Sequence, residues 1–199
     1  IDACLVGSEM CIRDRNRIAL FFGSFNPIHN GHIGIGQAVL DQQKADEVHY
    51  ILTPQNPHKK TAALWSEEHR WNMLAQALTP YDGLVANDIE LHMPKPSYTS
   101  NTLRKLTAAH PDNSYIMLMG ADSAVGLDGW KNAAYIKQFP LLIYPRNDIS
   151  LDAFPTHQRL QAPLLDIAAT SIRETKEMKQ LKAWLPDGVI AYMKTHQLT

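Results

Sequence analysis

The chain has 199 residues, 45% of them hydrophobic and 20% charged, with a formal net charge of −1. That is enough chain for one domain with one sizeable core, and too little net charge to draw it to nucleic acid or an anionic membrane through a global field. Two cysteines, Cys4 and Cys11, make no disulfide framework, no apolar run approaches the ~20 residues of a membrane span, and no cleavable signal pattern opens the sequence, so a soluble cytoplasmic protein is expected.

Residues 1–16 fit nothing downstream. The stretch "CLVGSEMCIRDR" lacks a strand or helix period and looks like peptide translated from a library adapter. Residues 1–16 are therefore expected to be extraneous or disordered, with a real N-terminal arm as the alternative, and residues 17–199 to form a single domain. "RIALFFG" (17–23) is a short apolar run ending in glycine, consistent with a buried strand. From His32 to Gln43, Ile33, Ile35, Ala38, Val39 and Leu40 recur near helical spacing. "EVHYILTP" reads as a second strand stopped by Pro54. "SEEHRWNMLAQALTP" reads as a helix with Ser66 as N-cap, glutamates in the first turn and Pro80 as its stop.

"GLVANDIEL" predicts a third strand running into a loop. "SYTSNTLRKLTAAHP" begins with hydroxyls and ends at Pro111, a punctuated helix in which Ser97 or Thr99 reads as the N-cap. "SYIMLMGAD" is a buried strand, "WKNAAYIKQF" a short helix and "PLLIYPR" a fifth strand. "APLLDI" reads as a sixth strand, "TSIRETKEMKQL" as a helix and "LPDGVIAYMKTHQ" as the terminal helix. The stretch 147–163 is the loosest segment, a surface excursion. Strands alternate with helices throughout, which specifies an α/β fold: a Rossmann-like, doubly wound parallel sheet with helices on both faces. Ligands in such sheets bind beyond the carboxyl ends of the strands, near a switch in strand order. The unusual loops Gly23–His32, Thr53–Lys60, Gly120–Gly126 and Pro145–Asn147 all follow strands, so all four can converge on one edge.

The first of these loops, "GSFNPIHNGH" (23–32), carries the most chemistry. Its position after a strand and before a helix places it where free backbone N–H groups and the positive dipole end gather. Gly23 and Gly31 let backbone approach an anion closely, and Pro27 stiffens the turn. His29 and His32 share a face if helical geometry starts near Asn30. Two imidazoles there can donate hydrogen bonds and carry partial positive charge near neutral pH, which suits a phosphoryl group in transit. Zinc would need a third and fourth ligand, and no second cluster of Cys and His is evident, so no protein metal site is expected. Ordinary loop or core histidines are the other reading.

G-x-F-x-P-x-H-x-G-H resembles the signature of the H-x-G-H nucleotidyltransferase superfamily. Within it the chain is similar to the bacterial nicotinate-nucleotide adenylyltransferases from about Arg17 to Leu198. The resemblance implies a nucleotidyltransferase-type fold and an enzyme of NAD biosynthesis. It would transfer AMP from ATP to nicotinate mononucleotide, giving deamido-NAD and pyrophosphate, with Mg²⁺ carried by ATP. Gly23 would border ATP, and Ser24 and Phe25 both nucleotides. "TPQNPHKK" resembles the family's loop after the second strand, where His58 and Lys59 would face phosphates. "PSYTSNTLRKL" is similar to the S-Y-T-x-x-T-L stretch, which implies that Tyr98 and Thr99 border the pyridine nucleotide.

"MGADSAVGLDGW" looks like the family's G-x-D segment followed by a tryptophan. Gly120 and Asp122 would serve the ATP site, with Asp122 on a ribose hydroxyl, and Trp130 would stack on the nicotinate ring. "YPR" puts Arg146 at another strand end, near the nucleotide. "IAATSIRE" is similar to the family's I-S-S-T-x-I-R. Thr170, Ser171, Ile172 and Arg173 would lie at the triphosphate, while Ala168 and Ala169 replace the usual serines. Backbone N–H groups there do not depend on side chains. His29, His32, Lys59 and Arg173 are the expected catalytic set, acting through position and charge rather than as nucleophiles.

Other readings stay open at this point. They are an acceptor such as nicotinamide mononucleotide or phosphopantetheine, a cytidylyltransferase, or a silent nucleotide-binding regulator. ATP and nicotinate mononucleotide are the expected partners, with no nucleic acid and no membrane, and the oligomeric state is left open, a homo-oligomer included.

Overall fold

Ala19 and Phe21 leave one face of the first strand and Ile18 and Leu20 the other, because side chains alternate along an extended chain. Both faces of that strand are therefore apolar, as a parallel strand between two helical layers requires. The structure, a computed structural model, describes residues 15–55, 64–146, 149–162, 167, 169–175 and 177–198. The expectation for the start of the chain lies largely outside these residues. Asn16 is tied to the sheet, with its side-chain amide donating to Glu47 at 3.0 Å and its carbonyl accepting from the Ser114 N–H at 3.0 Å.

Five strands form the sheet: β1 (Arg17–Gly23), β2 (Glu47–Leu52), β3 (Leu84–Asn87), β4 (Ser114–Gly120) and β5 (Leu141–Tyr144). Their order is β3-β2-β1-β4-β5, and every pairing is parallel. Helix α1 (Asn30–Asp41) connects β1 to β2, and α2 (Glu67–Leu78) connects β2 to β3. The chain then returns past β1 through α3 (Thr99–Ala109) to reach β4, and α4 (Ala121–Val125) and α5 (Ala133–Ile136) lead to β5. Strand order thus reverses between β1 and β4, which opens a crevice at their carboxyl ends. Helices α6 (Ala169–Glu174), α7 (Met178–Trp184) and α8 (Asp187–Thr195) complete the chain.

The core has two layers. Phe21, Val39, Tyr50, Leu74 and Val189 pack on one face, where α1, α2 and α8 lie. Leu20, Ile51, Leu103, Met117 and Ile136 pack on the other, under α3 and α5. Among the described residues no helix is long and apolar enough to cross a membrane.

Two local expectations change and two gain detail. Strand β3 stops at Asn87, whose side-chain oxygen takes the Ile89 N–H at 3.0 Å and turns the chain into a 3₁₀ turn at Ile89–His92. The helix foreseen over 170–181 is two helices. The Thr175 hydroxyl accepts from the Glu177 N–H at 3.2 Å and interrupts the ladder between α6 and α7. Neither Ser97 nor Thr99 caps α3: Tyr98 holds that position without a side-chain cap, and the Ser97 hydroxyl donates to Glu90 instead. The loose stretch before residue 163 is tied down, with the Leu160 N–H donating to Ile143 at 2.8 Å beside β5. The sixth strand foreseen over 162–167 lies mostly outside the described residues.

Candidate active site

Strand β1 ends at Gly23, and the next turn folds its own side chain back beneath the strand end. Phe25 has φ of +40°, a left-handed conformation that bulky residues seldom adopt. Its ring is buried and meets Phe21, Tyr50 and His32 at centroid distances of 5.7, 5.6 and 5.1 Å. Gly23 makes this possible, since a Cβ there would sit 2.8 Å from the Phe25 ring. The Asn26–Pro27 bond is cis. His29 then occupies the N-cap of α1, and its carbonyl accepts from the N–H groups of His32 and Ile33. The helix therefore starts early enough to bring both histidines onto one face. Their rings stack with centroids 3.7 Å apart and planes 27° from parallel.

The backbone beneath the pair is held from below. Tyr50 donates its hydroxyl proton to the His32 carbonyl at 2.9 Å. Gly36 is needed for that approach, because a Cβ there would lie 2.1 Å from the Tyr50 oxygen. Burial raises the Tyr50 phenol, which keeps it a donor.

His29 differs from expectation in charge. Burial, followed by the nearby Arg146 guanidinium, lowers the His29 pKa from 6.5 to about 4. His29 is thus a neutral ring near pH 7, able to donate a hydrogen bond but carrying no charge. Its Nδ1 is buried and makes no hydrogen bond to another described residue.

A cavity of about 570 Å³ opens beyond the ends of β1 and β4, within the usual range for ligand sites. Gly23, Ser24, Phe25, His29 and His32 line it, as do Thr170 and Arg173 of α6. Arg173 donates to the Asn26 carbonyl at 2.7 Å and to the Thr170 hydroxyl at 3.2 Å. Tyr98, Thr99, Trp130, Gly120, Asp122 and Arg146 line it too. The Asp122 carboxylate accepts from the Ser123 N–H at 2.8 Å and lies 3.5 Å from Arg146 Nε. A Cβ on Gly120 would meet Asp122 Oδ1 at 2.6 Å and Arg146 Cδ at 2.9 Å, so a larger residue there would force both side chains to shift.

Not every expected residue is there. Ser171 and Ile172 do not border the cavity, and the Ile172 side chain is buried in the core beneath α6. His58, Lys59 and Ala168 lie outside the described residues.

Three residues at or behind the site escaped the sequence reading. Glu90 is buried and borders the cavity, accepting from Ser97 at 2.8 Å and Thr102 at 2.7 Å. Burial raises its pKa, opposed by these hydroxyls and that of Thr53. Lys131 sets its ammonium 4.1 Å from the centre of the Tyr98 ring, next to Trp130, and no carboxylate pairs with it among the described residues. Arg70 is 1% exposed on the apolar face of α2. A signal for it did exist: Arg70, Met73, Leu74, Ala77 and Leu78 follow one helical stripe, so a cation stood where the core should be.

The chain is similar to several known proteins. The Cytidylyltransferase-like family matches residues 20–175. A protein of Cytophaga hutchinsonii named "Probable nicotinate-nucleotide adenylyltransferase" is 40% identical over 171 residues, covering 83% of this chain and 89% of the relative. One of the same name from Christiangramia forsetii is 35% identical over 184 residues, 89% of this chain and 95% of the relative. Among solved structures, Plasmodium falciparum nicotinic acid mononucleotide adenylyltransferase complexed with NaAD is similar in fold. Its TM-score is 0.77 at 18% identity, covering 92% of this chain and 97% of that one.

Proposed function

The chain belongs to the nicotinate-nucleotide adenylyltransferases, within the cytidylyltransferase-like family, and from that premise we propose that its cleft transfers AMP from ATP to nicotinate mononucleotide. The products are nicotinate adenine dinucleotide and pyrophosphate. The observation that carries this reading is the stacked His29–His32 pair at the start of α1, on the rim where strand order reverses.

The 5′-phosphate of the mononucleotide attacks the α-phosphorus of ATP in line. A new P–O bond forms there, the bond to the bridging oxygen breaks, and pyrophosphate leaves with that electron pair. The attacking phosphate is already an anion near pH 7, so no side chain need remove a proton. Position and charge stabilisation carry the rate. His32 serves the α-phosphate as charge builds in the transition state. His29, a neutral donor, bonds to the β- and γ-phosphates or to the attacking phosphate. Arg173 adds fixed positive charge beside the leaving pyrophosphate, and Lys59 is assigned the same task from the loop after β2.

Mg²⁺ is assigned to ATP rather than to a protein cage. Of the carboxylates bordering the cavity, Glu90 is engaged by hydroxyls and Asp122 lies beside Arg146. When bound, the ion neutralises phosphate charge through the phosphates' own oxygens and water.

The acceptor end suits an acid better than an amide. Trp130 offers a face for an electron-poor pyridine ring, and the Lys131 ammonium beside Tyr98 attracts a carboxylate more than a carboxamide. The test is pyrophosphate release from ATP with three acceptors in parallel. Release is expected to be fastest with nicotinate mononucleotide, slower with nicotinamide mononucleotide and at background with phosphopantetheine. A faster rate with either of the other two would overturn the assignment of acceptor.

A further inference from the structure

Arg70 carries a full charge into the core with no carboxylate paired to it among the described residues. A buried guanidinium is tolerated only where its N–H groups are satisfied. Here backbone oxygens accept from all three of its nitrogens. Nη1 donates to the Ser24 carbonyl at 2.8 Å and to the Thr53 carbonyl at 2.8 Å. Nη2 donates to the Pro54 carbonyl at 2.9 Å, and Nε to the Trp65 carbonyl at 3.1 Å. One side chain of α2 therefore grips the loop after β1, the loop after β2 and its own helix entrance.

The consequence falls on the cleft. A peptide unit is planar, and in the trans form its C=O and N–H point in opposite directions. With the Ser24 carbonyl held by Arg70, the Phe25 N–H is turned away from Arg70. That amide makes no hydrogen bond to another described residue, and Phe25 borders the cavity. Carbonyl oxygens that would repel a polyphosphate are drawn toward Arg70, and the Phe25 N–H is left on the side away from it.

The grip extends further. The Thr53 N–H donates to the Gly23 carbonyl at 2.8 Å, while its hydroxyl contributes to Glu90. Glu90 in turn holds Ser97, one residue before Tyr98. A continuous polar chain thus runs from the histidine loop through Arg70, Thr53 and Glu90 to the start of α3.

We propose that Arg70 is a positioning residue of the transfer site. Its guanidinium sets the peptide orientations of the loops after β1 and β2, and it places a fixed positive charge behind the phosphate end of the cleft. The proposal rests on the AMP-transfer reading above. A lysine cannot replace it, because a single ammonium lacks the planar fork that spans three segments.

The test is pyrophosphate release from ATP and nicotinate mononucleotide by wild type, Arg70→Lys and Arg70→Ala. The rate is expressed per folded molecule by circular dichroism, well below each variant's melting midpoint. Arg70→Lys is expected to lower kcat by ~10-fold or more, because small misplacements of reacting groups cost that much. Guanidinium ion, at millimolar levels far below denaturing ones, is expected to restore part of the Arg70→Ala turnover. Urea, of the same shape but uncharged, is expected to restore less.

Wild-type kcat per folded Arg70→Lys molecule would overturn the proposal, as would an Arg70→Ala rate that guanidinium and urea leave equally unchanged. If Arg70→Ala does not fold, Arg70→Lys decides alone. Should Arg70→Lys also fail to fold, Arg70 is a stability residue and the proposal falls. Wild type in the same assay separates the two readings: no release from wild type sinks AMP transfer itself, whereas normal release with indifferent variants sinks only the role of Arg70.

Discussion

Arg173 Nη1 lies 2.7 Å from the backbone oxygen of Asn26, 147 positions earlier in the chain. A late helix and the loop after the first strand are thereby joined at the cleft, and a cation is fixed beside the histidine pair. Removing a hydrogen-bonding partner of a charged group costs ~1.5–3 kcal/mol, or roughly ten- to a hundredfold in binding. Arg173→Ala should therefore raise KM for ATP by about tenfold or more and change KM for the mononucleotide less. Steady-state kinetics with each substrate varied in turn checks this, and equal effects on both would remove Arg173 from the triphosphate.

His32 sits in the first turn of α1 with its carbonyl held by Tyr50. The ring can be removed without breaking that backbone bond. His32→Ala should keep its melting temperature and lose ~100-fold or more in kcat, the usual cost of one transition-state donor. A near-wild-type rate would place the transition-state contact elsewhere.

Trp130 follows the 3₁₀ turn at Leu127–Gly129 and borders the cavity beside Lys131. Trp130→Ala removes a stacking face without touching the phosphate end. KM for nicotinate mononucleotide should rise several-fold more than KM for ATP. A uniform rise in both would count against stacking.

His29 links stability to pH. Its pKa falls from 6.5 to about 4 in the folded chain, through burial and then the Arg146 charge. Above pH 6.5 both folded and unfolded chains hold the neutral ring, and the group has no effect. Between pH 6.5 and about 4 the unfolded chain takes up a proton that the buried ring refuses, so stability falls as pH falls. The full loss is roughly 3 kcal/mol. Thermal melts across that window should show a smaller decline for His29→Asn than for wild type, and parallel declines would deny the shift.

Much of this was legible in the residues. The five strands are short apolar runs because both faces of a parallel sheet are covered. Ser66 stood before two glutamates and does cap α2, accepting from the His69 N–H at 3.2 Å. The spacing of His29 and His32 became a stacked pair once α1 began at Asn30.

What stayed hidden depends on contacts between distant segments. The low basicity of His29 comes from burial and from Arg146, more than a hundred positions away in sequence. The apolar stripe of α2 shows that Arg70 faces the core, but not that carbonyls from three segments converge on it. Glu90 looks solvent-facing until α3 brings Thr102 against it. The left-handed Phe25 is needed only because its ring must fit under Gly23.

The most direct measurement follows the fate of label from ATP mixed with nicotinate mononucleotide and the wild-type chain. With ATP labelled at the α-phosphorus, the label should appear in the dinucleotide. With ATP labelled at the γ-phosphorus, it should leave as pyrophosphate. Label from the γ-position found on the acceptor, or α-label that stays in an adenine mononucleotide while no dinucleotide forms, would contradict AMP transfer at this cleft.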